Sequence, residues 1–141
     1  MADMKPVMQI EELGSFMKQE FPQLNSDFEI IDIGDGFSAM QLRAGEQHLR
    51  PGGTVSGPSL FALADVAAYA AILAHIGPVA LAVTTNLNIN FLRKTTPGTV
   101  QAMARILKLG KRLAVIDISL TSGEENNLIA HATATYSIPP H

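Results

Sequence analysis

The segment 58–76 constrains the fold more than any other part of the sequence. It reads PSLFALADVAAYAAILAHI, and its apolar residues and alanines cover all sides of a helix instead of one stripe. A helix of this kind has to be enclosed by other elements. Ser56 or Gly57 can cap its start, where a proline suits the first helical position because it needs no N–H donor there. Gly77-Pro78 then ends the helix.

Length and composition predict one compact domain, residues 1–141. The chain is 47% hydrophobic and 16% charged, which supplies a core and is not typical of disorder. It has no Cys, which excludes disulfides and thiolate sites, and its four His are scattered, so we expect no metal and no cofactor. Asp65, Tyr69 and His75 interrupt the apolar segment, which favours a buried helix over a membrane span.

The net charge and the first residues of the chain indicate the cellular location and the binding partners of the protein. The net charge is -3, which argues against a nucleic-acid partner. The beginning MADMKPVMQIEEL has no export signal, so we expect a cytoplasmic protein without a membrane partner. No acidic residue lies between Asp65 and Asp117, whereas this interval holds six basic residues. Such a basic segment is typical either of a solvated sheet edge or of a site for a phosphorylated ligand.

Strand-like segments precede and follow the helix. FEIIDI (28–33) and FSAMQLR (37–43) flank Gly34-Asp35-Gly36, the composition of a tight hairpin. The segment VALAVTTNLNINF (79–91) alternates strictly, which predicts a strand with one buried face. The remaining predicted elements are an amphipathic helix at 8–21 on the outside of the fold, a polar loop at 44–53, strands at 99–109, 113–121 and 128–138, and turns at 110–112 and 122–127.

This order of elements indicates an α+β domain with a largely antiparallel sheet curled around one helix. A sheet of this size covers only one side of a helix. We therefore expect the rest of the apolar helix surface to contact a second copy, most simply in an isologous dimer.

The start of the helix and its carboxylate are the two features that point to chemistry. The N–H groups at Gly57 can bind an anion or a developing oxyanion, with no side chain to hinder close approach. Asp65 lies eight residues later, which is about 12 Å further along the axis. One carbonyl group cannot touch both, so residues that act together here have to come from different subunits. A buried carboxylate can instead accept hydrogen bonds that fix the register of an interface.

The stretch RPGGTVSGPSLFALAD (50–65) is similar to a pattern of the hotdog-fold thioesterases, Asn-Pro-x-Gly-x-x-His-Gly-Gly-x-x-x-x-Leu-x-Asp. The resemblance is to the PaaI-like (phenylacetyl-CoA thioesterase-like) branch of the 4-hydroxybenzoyl-CoA thioesterase superfamily, and the element order matches over 28–138. TTNLNINFLRKTTPG (84–98) also resembles the family's strand after the helix. The resemblance implies a hotdog fold, an antiparallel sheet wrapped around one long central helix, here with an extra N-terminal helix. The positions that fall in step are Pro51, Gly53, Gly57, Leu63 and Asp65.

The resemblance also implies an activity: hydrolysis of a small aryl or short- to medium-chain acyl-CoA at a dimer interface, in a homodimer or a dimer-of-dimers tetramer. It implies that Asp65 is the general base or nucleophile, that Gly57 polarises the thioester carbonyl, and that Thr84 or Thr85 helps to orient water or the carboxylate. Further residues that the resemblance brings to the site are Ser56 and Arg50 beside the catalytic group, and Gly53, Arg93, Lys94, Lys108, Lys111 and Arg112 for substrate and CoA phosphates.

Three residues depart from the family pattern: Arg50 replaces Asn, Ser56 replaces His, and Pro58 replaces the second Gly. Arg50 can pair with Asp65 across the interface and occupy it, which leaves open a non-catalytic acyl-CoA-binding module. A third alternative is an enoyl-CoA hydratase or dehydratase, since such hotdog enzymes use a His with a carboxylate and His48 lies in the loop before the helix. A lone loop His is more typically a surface residue.

Overall fold

The computed structural model describes residues 4–22, 27–122 and 126–140. Its six strands form one antiparallel sheet in the order β1-β2-β4-β5-β6-β3. A long helix packs against this sheet, so the predicted hotdog architecture with an additional N-terminal helix is confirmed. The elements are α1 (Ile10–Glu20), β1 (Phe28–Gly34), β2 (Phe37–Ala44), a 3-10 helix (Glu46–His48), α2 (Gly57–Ile76), β3 (Val83–Phe91), β4 (Gly98–Leu109), β5 (Leu113–Ser122) and β6 (Leu128–Ser137).

Local signals place the turns of the sheet. Gly34 pairs with Phe37, so β1 and β2 are joined by a two-residue turn. Gly36 in this turn has a φ of 78°, a left-handed conformation that glycine adopts without strain. Its N–H donates to Nε2 of the buried His75 (2.9 Å), which ties the hairpin to the far end of α2. The predicted turn at 110–112 is confirmed, and residues 123–125 of the other predicted turn lie outside the described residues.

Small side chains allow α2 to lie close against the sheet. The sheet face toward the helix carries alanines on β4, β5 and β6, and the helix carries alanines on its own buried surface. Small residues on both surfaces shorten the distance between helix and sheet and permit close packing. By length and apolar composition α2 could also span a membrane. However, 67% of its most apolar stretch of 18 residues is buried inside the chain, as in a core helix. The fully buried alanines are Ala64, Ala67, Ala68, Ala70, Ala71, Ala74, Ala102, Ala104, Ala114, Ala130, Ala132 and Ala134.

The chain covers more of α2 than the sequence predicts. The N–H groups of Val7 and Met8 donate to the carbonyl of Ala74, so the segment before α1 lies across the end of α2. The amphipathic α1 packs on the outside of the fold, as predicted, and buries Leu13 and Met17. The expectation that a second subunit covers the whole free side of α2 is therefore wrong for its C-terminal half. Between the two ends of the helix, only a stripe of the N-terminal half stays partly uncovered: Phe61, Ala62, Asp65 and Val66.

Strand β3 lies at the sheet edge, and its alternation is interrupted. The register shifts between Thr84 and Asn86: Thr84 pairs with Tyr136, and Asn86 with Thr135. This bulge turns Thr84 toward the same side of the sheet as Leu87, whereas Val83 lies on the other side and is 54% exposed. The strict alternation predicted from residue 79 onward is therefore wrong at the start of the strand, which begins at Val83.

Candidate active site

The carboxylate of Asp65 is held by two hydroxyl groups from neighbouring strands. Thr84 Oγ1 on β3 donates to Asp65 Oδ1 (2.6 Å), and Tyr136 OH on β6 donates to the same oxygen (2.7 Å). The helix, the bulge and the sheet register together bring the three residues to one place. Within the described part of the chain, Oδ2 accepts no hydrogen bond, so one oxygen is fixed and the other is free to react.

Tyr136 is protonated throughout the physiological pH range. Its side chain is buried, and burial raises the pKa of its hydroxyl well above the usual value; the nearby Asp65 charge adds to this rise. The same hydroxyl lies 2.9 Å from the main-chain carbonyl oxygen of Asp65, so its single proton is shared between this oxygen and Oδ1. Tyr136 therefore holds both the helix backbone and the carboxylate at this position.

A mostly apolar cleft of about 290 Å³ opens beside the carboxylate. Phe21 and Tyr69 meet edge to face in its wall, with ring centroids 5.1 Å apart. The Tyr69 hydroxyl donates to the carbonyl of Ala80 (3.1 Å), and burial raises its pKa to about 12, with a smaller contribution from the charge of Glu20. The lining consists of Phe21, Asp65, Val66, Tyr69, Ala82, Val83, Thr84 and Tyr136.

The N-terminus of α2 presents one free N–H group. Ser56 is the N-cap: its Oγ accepts from the N–H of Ser59 (3.2 Å), and its carbonyl accepts from the N–H of Leu60 (3.1 Å). Pro58, at the second helical position instead of the predicted first, has no N–H. Among the described residues the N–H of Gly57 has no acceptor. A Cβ at Gly57 would lie 3.3 Å from Cζ of Phe91, so glycine keeps this approach open.

Gly57 opens onto a different cleft from Asp65. This second cleft measures about 390 Å³ and is lined by Arg50, Thr54, Val55, Gly57, Leu60, Phe91, Leu92, Arg93 and Lys94. It shares no lining residue with the first cleft. Within one chain, Asp65 and Gly57 therefore remain apart, in agreement with the distance of about 12 Å along α2 expected from helix geometry.

The predicted phosphate-binding residues fall into two groups, near opposite ends of β4. Arg93 and Lys94 precede β4 and lie near Gly57, with Arg50 in the adjoining turn. Lys108, Lys111 and Arg112 lie at the other end of β4 and in the turn after it. The twelve residues of β4 separate the two groups by roughly 30 Å. One chain therefore does not bring the predicted phosphate-binding residues together.

Three further predicted residues have other surroundings. Gly53 has a φ of 83° and closes the turn in which its N–H donates to the carbonyl of Arg50 (3.0 Å). Thr85 is exposed at the bulge and donates to the carbonyl of Thr135 (3.1 Å), so the structure selects Thr84 as the neighbour of Asp65. Ser56 uses its hydroxyl to cap α2.

His48 is buried, so its prediction as a surface residue is wrong. Its Nδ1 accepts from the N–H of Gly45 (2.9 Å), and its Nε2 lies 3.5 Å from Oδ2 of Asp27. These contacts hold the loop before α2 in place, and in the described residues His48 does not contact Asp65. The histidine and carboxylate pair of the hydratase alternative is therefore not formed within the chain. In residues 4–22, 27–122 and 126–140, no three His, Asp or Glu side chains are grouped as metal ligands.

Sequence reasoning missed Tyr136 as a neighbour of the carboxylate. Tyr136 has the same parity as the buried alanines of β6, which indicates that its ring points inward. A buried tyrosine hydroxyl needs a hydrogen-bond partner, and Asp65 is an acceptor in a comparably apolar segment. Pairing the two from sequence requires the strand order, because 71 residues separate them.

Comparisons with known proteins agree with this architecture. The model of the thioesterase superfamily matches residues 52–129. A candidate esterase of Saccharolobus solfataricus is 32% identical over 94% of this chain and 87% of its own length. The crystal structure of a candidate thioesterase from a Silicibacter species has a TM-score of 0.90 and 49% identity, covering 97% of this chain and 96% of that one.

A more distant structure supports the branch to which the sequence is similar. A mutant of the phenylacetic acid degradation protein PaaI from Thermus thermophilus has a TM-score of 0.72 and 26% identity, over 89% of this chain and 99% of that one. The resemblance to hotdog-fold thioesterases is thus confirmed by family model, sequence relatives and fold. The chain belongs to the thioesterase superfamily of hydrolases.

Proposed function

We propose that the protein is an acyl-CoA thioesterase for small aryl or short- to medium-chain acyl groups, with active sites formed between two subunits. The observation that carries this proposal is the Asp65 carboxylate, fixed through Oδ1 and free at Oδ2 beside an apolar cleft. An apolar cleft of about 290 Å³ suits an acyl group of this size.

The edge strand β3 supports a two-subunit site. β3 is the last strand of the sheet, and it exposes about half of the side chains of Val83 and Phe91. An exposed apolar edge of this kind pairs readily with another strand. If two copies pair antiparallel along β3, a two-fold axis brings the Gly57 end of each α2 toward Asp65 of the partner. The same two-fold axis brings Arg93 and Lys94 of one subunit toward one end of the shared cleft. Lys108, Lys111 and Arg112 of the other subunit lie at that end.

The chemistry that we propose needs one base and one oxyanion donor. Asp65 Oδ2 takes a proton from water, the water oxygen attacks the thioester carbonyl carbon, and the carbonyl oxygen becomes an oxyanion. The free N–H of Gly57 from the partner donates to this oxyanion. The C–S bond then breaks, and the CoA sulfur receives the proton held by Asp65. Direct attack by Oδ2 on the carbonyl carbon, which breaks the C–S bond, releases the CoA thiolate and gives a mixed anhydride that water hydrolyses, is the alternative use of the same carboxylate.

Arg50 supports a second candidate, a module that binds acyl-CoA without turnover. Arg50 lines the Gly57 cleft, so the proposed dimer directs it toward Asp65 of the partner. An ion pair there would occupy Oδ2. Calorimetry with a non-hydrolysable acyl-CoA analogue separates the two functions, because the module binds the analogue tightly but leaves the matching thioester intact. A cytoplasmic location, and the absence of nucleic-acid and membrane partners, stay predictions.

Thiol release from a panel of aryl, short-chain and medium-chain acyl-CoAs tests the proposed activity. The chain has no Cys, so the protein adds no thiol background. We expect the wild type to cleave at least one class of substrate and Asp65→Asn to lose about 10³-fold or more in kcat, as when other central catalytic groups are removed. A wild-type rate in Asp65→Asn would refute the role of Asp65.

A further inference from the structure

We propose that Tyr136 is a positioning residue, which holds the carboxylate of Asp65 so that Oδ2 faces the substrate. This inference rests on the proposed function for its kinetic consequence. Its physical content, an effect of Tyr136 on the carboxylate of Asp65, can be measured without any substrate.

The sheet register fixes the geometry. Tyr136 and Thr84 are directly opposite each other on β6 and β3, and their hydroxyls reach the same oxygen, Oδ1, at 2.7 and 2.6 Å. Two donors on one oxygen restrict rotation of the carboxylate and leave Oδ2 without a partner among the described residues. A catalytic group held in one orientation reacts faster, since misplacement by about 1 Å can cost on the order of 10²-fold in rate.

Tyr136 is suited to this role because it is a permanent donor. Only 2% of the residue is exposed, and burial raises its pKa, so the hydroxyl keeps its proton throughout the physiological pH range. Loss of this hydroxyl therefore removes a donor that is always available to Oδ1. The titratable groups nearest to the pair in the described chain are Tyr69 on α2 and Glu20, which acts on Tyr69.

The first test is Tyr136→Phe, which removes the hydroxyl and keeps the ring. We expect kcat to fall about ten- to hundredfold with KM within about twofold, because substrate contacts are unchanged. In protein labelled with ¹³C at the Asp carboxyl carbons, with Asp65 assigned through Asp65→Asn, the carboxyl signal of Asp65 should shift because Oδ1 loses one of its two donors.

Tyr69→Phe is the matched control. Tyr69 is the other tyrosine of the chain, it lines the same cleft, and its hydroxyl donates to the carbonyl of Ala80 instead of the carboxylate. Its removal should leave the ¹³C carboxyl signal of Asp65 in place. Circular dichroism and size-exclusion chromatography on both variants verify that fold and assembly persist.

A second modification covers the case in which Tyr136→Phe does not fold. The sequence has two tyrosines, so the Tyr69→Phe protein grown with 3-fluorotyrosine carries the label at Tyr136 alone. Fluorination makes the phenol a stronger donor, so the ¹³C carboxyl signal of Asp65 should move in the direction opposite to the effect of Tyr136→Phe. The same label in the wild type gives the same direction if Tyr69→Phe is unstable.

The outcomes separate this inference from the proposed function. If folded Tyr136→Phe and fluorinated protein both leave the ¹³C carboxyl signal of Asp65 unchanged, the positioning role of Tyr136 is wrong, whatever the activity. If the signal moves as expected but Asp65→Asn keeps full activity, the contact stands and the proposed catalytic use of Asp65 is wrong.

Discussion

Gly57→Pro tests the proposed oxyanion donor, because it deletes the N–H group of the first residue of α2. Proline is favoured in the first turn of a helix, where its fixed φ fits and its missing donor has no intrahelical partner. Ser56 before it has φ −72° and ψ 150°, the extended conformation that a residue before proline prefers. The new proline also precedes Pro58, and a helical conformation is disfavoured for a residue before proline. We therefore expect a loss of about 1–3 kcal/mol in the free energy of unfolding, which leaves the protein folded.

The catalytic cost should be visible in protein that is still folded, where the loss of stability does not lower kcat. Ser59 and Leu60 donate their N–H groups to Ser56, and Pro58 has none, so no neighbouring donor of the first turn can replace Gly57. Removal of one oxyanion donor costs about 10²–10³-fold in kcat, which is about 2.7–4 kcal/mol. Steady-state thiol release gives kcat, and thermal unfolding gives the stability.

Gly57→Ala is the control for bulk at the same position. It keeps the N–H and adds a Cβ 3.3 Å from Cζ of Phe91, a ring that is 52% exposed and can move aside. We expect Gly57→Ala to retain much more activity than Gly57→Pro. Equal activity of the two variants, with both folded, would show that the N–H of Gly57 does not stabilise the transition state.

Three further predictions concern other parts of the site. Thr84→Val should lower kcat/KM about tenfold or more by removing the 2.6 Å hydrogen bond to the carboxylate of Asp65, whereas Thr85→Val, next to it in sequence, should stay near wild type; a reversed order would contradict the bulge geometry. Arg93→Gln should raise KM for acyl-CoA but not for the phosphate-free acyl-pantetheine, and an equal rise for both would exclude phosphate binding by Arg93. Tyr69 should ionise near pH 12 instead of its ordinary 10. The free energy of unfolding should therefore fall as the pH rises above 10, because the unfolded chain loses this proton first. Ultraviolet absorbance of tyrosinate measures the ionisation, and circular dichroism measures the unfolding.

Elements with local signals were predictable from the sequence. The apolar pattern and the flanking Ser and Gly-Pro define α2, and Gly34-Asp35-Gly36 defines the first hairpin. The strands at 99–109, 113–121 and 128–138 differ from the observed ones by a residue or less at each end. Each of these elements depends on residues close together in sequence, which is why periodicity and turn composition identify them.

Features that depend on tertiary contacts were not predictable in the same way. The bulge at Thr84 disrupts an alternation that looks regular in sequence, and it is this disruption that turns the hydroxyl toward Asp65. His48 lies in a polar loop but is buried, in contact with Gly45 and with Asp27, which lies just before β1. The basic residues appear as one segment because sequence distance does not show that β4 carries them to opposite ends of the sheet.

Subunit complementation tests the central claim, a site shared between two chains, most directly. Asp65→Asn and Gly57→Pro homodimers should each be inactive, and a mixed dimer contains one intact site, with Asp65 from one subunit and Gly57 from the other. After unfolding and refolding as an equal mixture, random pairing should restore about a quarter of the wild-type specific activity, because about half of the isologous dimers are mixed and each has one of two sites. A mixture that stays as inactive as its parents, with mixed dimers verified by affinity tags, would contradict the shared site.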